Sequence, residues 1–471
     1  MARRLRPCKM KKPFVLIIIS IAKKKKQQNK RFHLMSKSIE LEITRKDLTH
    51  LSGLIYFTDL ITRLNLVNRL GEILPKMKRK STHQSKDKFF TGVLTFISGA
   101  DCIDDLKDLR RDHLFSELTN GCISPSTMRN FLGSFKQKHF EKLQNLLPKL
   151  SLELRQKYFP RKNSITITMD ATPHKQWGEC MEGVDWCYSK EKGYITQNAF
   201  DEFGFCYGWN LMAGNSHSHN GAVEMIERIF KNMPIDKKSY FRADSAYGSH
   251  KVYNALINHG VNFAICLSEN VWGPLLDKNE FKIKWTKTKI RFFESSKCQV
   301  GSTIYAPSKL KGRSFLRVVY IRTKKDVIKS DEKRHYSYYA IVTDMSEKEM
   351  SNEEVIRFYR GRSNAENFIK DLKYGMDFKH FPCQSMSKNK AWGFMGIFAY
   401  NLMRFASFLI DERGCFLKRV RNKMVFLAGE IRKGQRKLKI RFSEKIFKEV
   451  QKKKEMIHMK FCFQGFLPPG G

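Results

Sequence analysis

The sequence predicts an α/β protein built around a mixed sheet. Three observations carry that expectation. Apolar residues recur at three and four from Ile39 to about Leu150, as in Leu51, Leu54, Ile55, Phe57, Leu60, Ile61 and Leu64. At Ser164 the rhythm changes to strict alternation in SITITM, which sets Ile165, Ile167 and Met169 on one face. From there the segments read strand, strand, strand, helix, strand, helix, strand, an order that suits mixed pairing.

Residues 1–35 read as a basic leader. Their apolar run Phe14–Ala22 is flanked by lysines and arginines. Nine residues are too few to span a bilayer, which needs about 20 in a helix. A lysine run also stands where a secretory signal would carry small cleavage-site residues. Residues 36–160 form the helical region, broken near Gly71, Pro75 and the basic stretch 76–88. Within it, Ser124-Pro125 starts a helix with an oxygen cap and a proline in the first turn, and Thr127, Arg129 and Asn130 are expected to be exposed on it.

Residues 161–268 hold the first part of the core. A strand is expected to end at Asp170, two more cover 195–200 and 203–213 around the acidic turn Asp201-Glu202, and helices fit 221–230 and 249–258. SYFRADSAYG delivers Asp244 at a strand end, and NFAICL reads as a buried strand. Residues 269–345 lose the helical rhythm and read as a β-rich insertion, with RSFLRVVYIRT and HYSYYAIVT as its strands. Residues 346–412 complete the core with a helix capped at Ser351 and running to about Tyr374, then an apolar helix over 391–410. A basic, helical C-terminal segment occupies 413–471.

Charge narrows the function. Lys and Arg number 88 against 46 Asp and Glu, a formal net charge of +42. Such a balance calls for a polyanionic partner, with nucleic acid ahead of a ribosomal or membrane-surface role. The 41% hydrophobic content excludes a disordered or collagen-like chain. Eleven scattered cysteines include no CxxC pair, and His217 and His219 have no Cys or acidic partner at ligand spacing. Reduced thiols are therefore expected and zinc is not.

The strongest local pattern is Tyr359-x2-Arg362-x3-Glu366-x6-Lys373. At about 100° per residue these four fall within an arc of about 60°, with Lys370 beside them, on a stripe about 21 Å long. Taken alone the stripe also suits a solvated charged face. Asp170 and Asp244, each at an expected strand end, change its meaning. Carboxylates gathered at one point repel unless a cation neutralises them, and an open set of three suits Mg²⁺ or Mn²⁺. Two such ions about 4 Å apart support phosphoryl transfer.

With MDATPH, FRADSAYG, YRGRSNAENFIKDLKYG and ISGADCIDDLKDLRRDHLF, this spacing resembles the DDE-type bacterial insertion-sequence transposases, over most of the chain. The resemblance implies a ribonuclease H-like core interrupted by a β-rich insertion. It implies that Asp170, Asp244 and Glu366 are catalytic and hold two Mg²⁺ or Mn²⁺ ions, and that Tyr359, Arg362 and Lys373 contact DNA phosphates. Lys370, on the same stripe, and Arg129 are further candidate DNA contacts. The expected activity is cleavage at the element's terminal inverted repeats and joining of the 3′-hydroxyl ends to target DNA. Double-stranded DNA is the expected partner, bound by a homodimer or larger assembly in the bacterial cytoplasm at the nucleoid, with no membrane involved. Some relatives stack a displaced base on an aromatic of the insertion, and Trp272 and Trp285 both lie there. A nuclease or resolvase that cuts without joining, and an inactive DNA-binding relic, are the alternatives.

Overall fold

The helical periodicity ahead of residue 160 forms a run of helices from Leu54–Arg63 to Gln137–Tyr158. The last of these buries Phe140, Leu143, Leu147, Leu150 and Leu154, the three-and-four spacing of one face. Ser124 caps the Pro125–Leu132 helix, accepting from the Thr127 amide at 3.2 Å. This computed structural model describes residues 44, 46–76, 82–100, 102–178, 180–234, 236–291, 297–325, 334–411, 413–434 and 437–462. The leader expected over 1–35 lies outside the described residues.

The strands are β1 (Asp47–Thr49), β2 (Ser164–Lys175), β3 (Asp185–Trp186), β4 (Lys192–Phe200), β5 (Cys206–Ala213), β6 (Lys238–Ala243), β7 (Asn262–Cys266), β8 (Thr286–Thr288), β9 (Cys298–Tyr305), β10 (Leu316–Lys324), β11 (Tyr336–Thr343), β12 (Gly429–Lys433) and β13 (Leu438–Arg441). Ten of them form one sheet. β5, β4 and β2 are antiparallel neighbours, and β6 and β7 follow β2 in parallel. Parallel neighbours need a crossover, and the His250–Asn258 helix supplies it between β6 and β7. Three antiparallel strands followed by two parallel ones give the ribonuclease H-like core.

The strands of 269–345 continue this same sheet. β11 pairs antiparallel with β7, then β10, β9 and β8 follow in turn. Val318, Val319, Tyr320 and Ile321 are buried in succession, as a strand covered on both faces requires. A helix, Glu269–Asn279, opens this segment where the sequence suggested none. Gly273-Pro274 reads as a breaker, yet Trp272 and Leu276 keep helical spacing and are buried.

The Met386–Ile410 helix forms the centre of the core. It is long and apolar enough to cross a membrane, but 94% of its apolar window is buried inside the protein, as for a core helix. Gly393 admits Trp209 so closely that a Cβ would lie 2.2 Å from the indole, so this helix can approach the sheet only through glycine. Asp201 and Glu202 are more than turn acids. Both pair with the fully buried Arg155, whose guanidinium also donates to the Ser164 carbonyl and so ties the Gln137–Tyr158 helix to the start of β2. The C-terminal segment carries strands as well as helix: β12 and β13 join β1 in a separate three-stranded sheet before the Glu444–Cys462 helix.

Candidate active site

The parallel ladder between β2 and β6 ends at the pair Met169–Ala243. Asp170 and Asp244 are the next residue of each strand, so the register alone brings them side by side. The sequence placed Asp170 at a strand end, but β2 continues to Lys175, paired among the described residues with β4 alone. Asp170 marks where β2 and β6 separate. Crevices beyond the carboxyl ends of parallel strands are where open α/β sheets bind ligands.

The capping box expected at Ser351 is present: its hydroxyl accepts from the Glu354 amide at 3.4 Å, and its own amide donates to Glu354 at 2.8 Å. The helical run it starts is not one uniform α-helix. A 3-10 turn at Gly361–Ser363 and a π segment at Asp371–Gly375 flank the Asn364–Lys370 helix. Arg362 and Glu366 turn toward the aspartates, Tyr359 is buried beside Arg362 and within the influence of Asp244, and Lys373 turns to β2 within the influence of Asp170.

Arg362 donates to Asp170 Oδ2 at 3.2 Å and lies 3.6 Å from Glu366 Oε1. Asp170 is buried, and its Oδ1 accepts from the Ala171 amide at 3.0 Å. Burial pushes its carboxyl up to about 6; Arg362 opposes the rise, while Asp244 and Glu366 add to it. Asp244 is also raised by burial, against the Ala246 amide, which donates to its Oδ1 at 3.0 Å, and against Arg362. Glu366 is exposed.

Among the described residues, no three His, Cys, Asp or Glu side chains stand close enough to hold one ion. The Arg362 guanidinium lies among the acids instead. The donor types nevertheless suit an oxygen-preferring dication: Asp170 and Asp244 are carboxylates whose charge burial disfavours, and Glu366 stands on the far side of Arg362 from Asp170.

The remaining candidates are engaged in different ways. Tyr359 is buried, its hydroxyl accepting from Tyr339 at 3.1 Å. Lys373 donates to Thr172 Oγ1 at 2.7 Å and to the Pro173 carbonyl at 2.8 Å. Lys370 is exposed, whereas Arg129 pairs with Asp104. His174 is enclosed between the Phe378 carbonyl and Thr196 Oγ1, and burial pushes it down to about 3, so it stays neutral. Trp272 is buried with Arg334 over its ring, and the Arg322 guanidinium covers Trp285 at 3.8 Å.

Two neighbours of the acids escaped the sequence reading. Arg242, on β6, donates to the Phe358 carbonyl at 2.9 Å and to Thr168 Oγ1 at 3.2 Å, fixing the end of the Asn352–Arg360 helix over the sheet. Burial lowers its guanidinium to about 10. Gly361 makes this approach possible, since a Cβ there would lie 2.0 Å from Arg242 Nη1. Tyr188 donates to the carbonyl of Ala171 at 3.2 Å; burial, then Asp170 and Asp244, raise its hydroxyl to about 12. Arg242 was visible only as part of FRADSAYG, and nothing in the spacing singles out Tyr188.

Residues 32–456 match the family model described as transposase DDE domain group 1. No curated protein matches the chain. Among solved structures, the piggyBac transposase synaptic complex with hairpin DNA is similar at 12% identity and a TM-score of 0.41, over 81% of this chain and 82% of that one. The family match spans the sheet, both aspartates and the helix that carries Arg362 and Glu366, and on it the chain belongs to the DDE transposase family.

Proposed function

We propose that this protein binds the terminal inverted repeats of its own element, cleaves DNA at the ends and joins the freed 3′-hydroxyls to target DNA. The observation that carries the reading is the pair of aspartates one step beyond the Met169–Ala243 rung, with Arg362 linking Asp170 to Glu366. Asp170, Asp244 and Glu366 would hold two Mg²⁺ or Mn²⁺ ions. When bound, these ions supply Lewis-acid chemistry to the attacking and leaving oxygens of phosphoryl transfer.

The rest falls to the chain itself. Arg362 has the planar donor fork that grips a phosphate through two oxygens, and it lies at the acids already. Lys373 secures the extension of β2 beyond Asp170 through Thr172 and the Pro173 carbonyl. Lys370, exposed on the same helix, reaches DNA from outside the site. A net charge of +42 draws duplex DNA to the surface without regard to sequence. Two element ends must be paired before they are cut, so the working form is at least a dimer on DNA.

The test is incubation of purified protein with its gene's flanking DNA ends and Mg²⁺ or Mn²⁺, beside Glu366→Gln. Wild-type cuts at the repeat boundary together with joined products, both absent from the variant, are expected. Cuts without joining would favour a nuclease; binding without cutting in either metal would favour the relic.

A further inference from the structure

Beyond Asp170, β2 and the β3–β4 hairpin form an arm that presents three large aromatic rings to solvent. Trp177 is 75% exposed, Trp186 61% and Tyr188 62%. Tryptophan is on average a highly buried residue, so two such exposures within ten residues need a reason. Each indole carries a lysine on its face: Lys175 lies 4.5 Å from the ring centre of Trp177, and Lys192 lies 5.7 Å from that of Trp186. The arm is anchored at the acids, because Tyr188 reaches the carbonyl of the residue that follows Asp170.

The arm's described acidic groups are used within the fold. Glu182 accepts from the Met386 amide, Asp185 from the Trp186 amide and Asn215, and Glu191 pairs with Lys175. Exposed rings and lysine heads therefore dominate what the arm offers a partner. Trp272 and Trp285 cannot compete for that role, since one is buried and the other is packed against the core with its indole nitrogen enclosed.

We propose that Trp177, Trp186 and Tyr188 form a stacking platform for unpaired bases of DNA lying across the acidic site. This rests on the DNA-end reading above. An aromatic face accepts any base, and each stacked base contributes about 1–3 kcal/mol. Duplex DNA hides its bases, so the platform distinguishes a frayed or single-stranded end from a blunt one. Lys192, beside the Trp186 ring, offers a cation to the backbone of such a strand.

The test compares binding of a blunt duplex with binding of the same duplex bearing a short single-stranded extension, using the full-length protein. Wild type is expected to prefer the extended duplex. Trp177→Ala/Trp186→Ala should lose that preference by about tenfold or more, the paired Phe substitutions should keep most of it, and blunt-duplex affinity should stay constant throughout. Equal weakening on both DNAs, or no preference in wild type, would overturn the proposal. So would intact preference with lost self-association, which would assign the arm to contacts between copies. Cleavage is scored separately on the blunt ends: its absence in wild type alongside a clear extension preference would sink the transposase reading and leave the platform standing.

Discussion

The Arg362 guanidinium lies 3.2 Å from Asp170 Oδ2, one residue beyond the end of the β2–β6 ladder. It is the first cause opposing the upward shift of that carboxyl. The site therefore carries a cation of its own. The arrangement has a thermodynamic cost, because burial outweighs Arg362 and Asp170 remains raised to about 6.

That shift fixes a pH dependence. A free Asp titrates near pH 4, so the folded protein holds this proton more tightly than the unfolded chain does. Asp170 then stabilises the fold most below about pH 4, and the contribution disappears as pH rises through about 6. In EDTA at pH 7, Asp170→Asn is expected to be more stable than wild type by roughly 2–3 kcal/mol. The difference should close toward about pH 4. Asp344, also raised to about 6, is present in both proteins and cancels. Denaturant titrations across this range check it, and parallel stability curves would refute the assignment. Mn²⁺ should raise the melting temperature of wild type and leave that of the variant unchanged.

An ion bound as proposed at Asp170 would compete with Arg362 for Oδ2, which leads to a second expectation. Arg362→Met should bind Mn²⁺ several-fold more tightly without DNA, read by calorimetry. Its single-turnover cleavage should fall by about 10²-fold or more, as when one preorganised donor is lost. Arg362→Lys should recover little of the cleavage, since a point charge lacks the fork. Weaker Mn²⁺ binding by the Met variant would show that the guanidinium organises the acids rather than competing for them.

Much of this site was legible because it depends on local pattern. Alternation in SITITM and the Ser351 capping box each follow from a few adjacent residues, and the structure reproduces both. Tyr359 was harder to place. Equal rotation per residue sets it on the same stripe as Glu366, and Arg362 and Asp244 do act on its hydroxyl, but the phenol is buried against Tyr339 just ahead of the 3-10 turn at Gly361–Ser363. That turn packs against Arg242, which lies 119 positions before Gly361 in sequence. The pairing of β11 with β7 likewise joins segments some 75 residues apart, where no local rule reaches. The β13 edge was missed because LKIR is short and lies in a lysine-rich stretch that reads as solvated helix.

Gly361 tests whether that long-range contact matters. Its Cβ would collide with a guanidinium already fixed by the Phe358 carbonyl and Thr168, so Arg242 cannot simply swing away. Gly361→Ala is expected to destabilise by about 1–3 kcal/mol, the usual cost of overpacking. Cleavage should decline further than stability explains, because Arg362 is the next residue, while duplex binding through the basic surface persists. Thermal melts and cleavage measured on the same preparation separate the two effects; wild-type values for both would mean that the turn tolerates a side chain.

Lys370 and Arg129 give opposite expectations, although both carry a full positive charge. Lys370 is exposed on the helix that bears Glu366, whereas Arg129 shares its charge with Asp104. A cation that neutralises a phosphate contributes about one counterion to the salt slope. Lys370→Ala should therefore weaken DNA binding and lower the log–log salt slope by about one. Arg129→Ala should move neither by much, because removing it frees Asp104 without removing a phosphate contact. Fluorescence titrations at several salt concentrations decide the matter. A reduced slope for Arg129→Ala would show that the Asp104 pair opens on DNA, and an unchanged slope for Lys370→Ala would place the DNA path away from the Asn364–Lys370 helix.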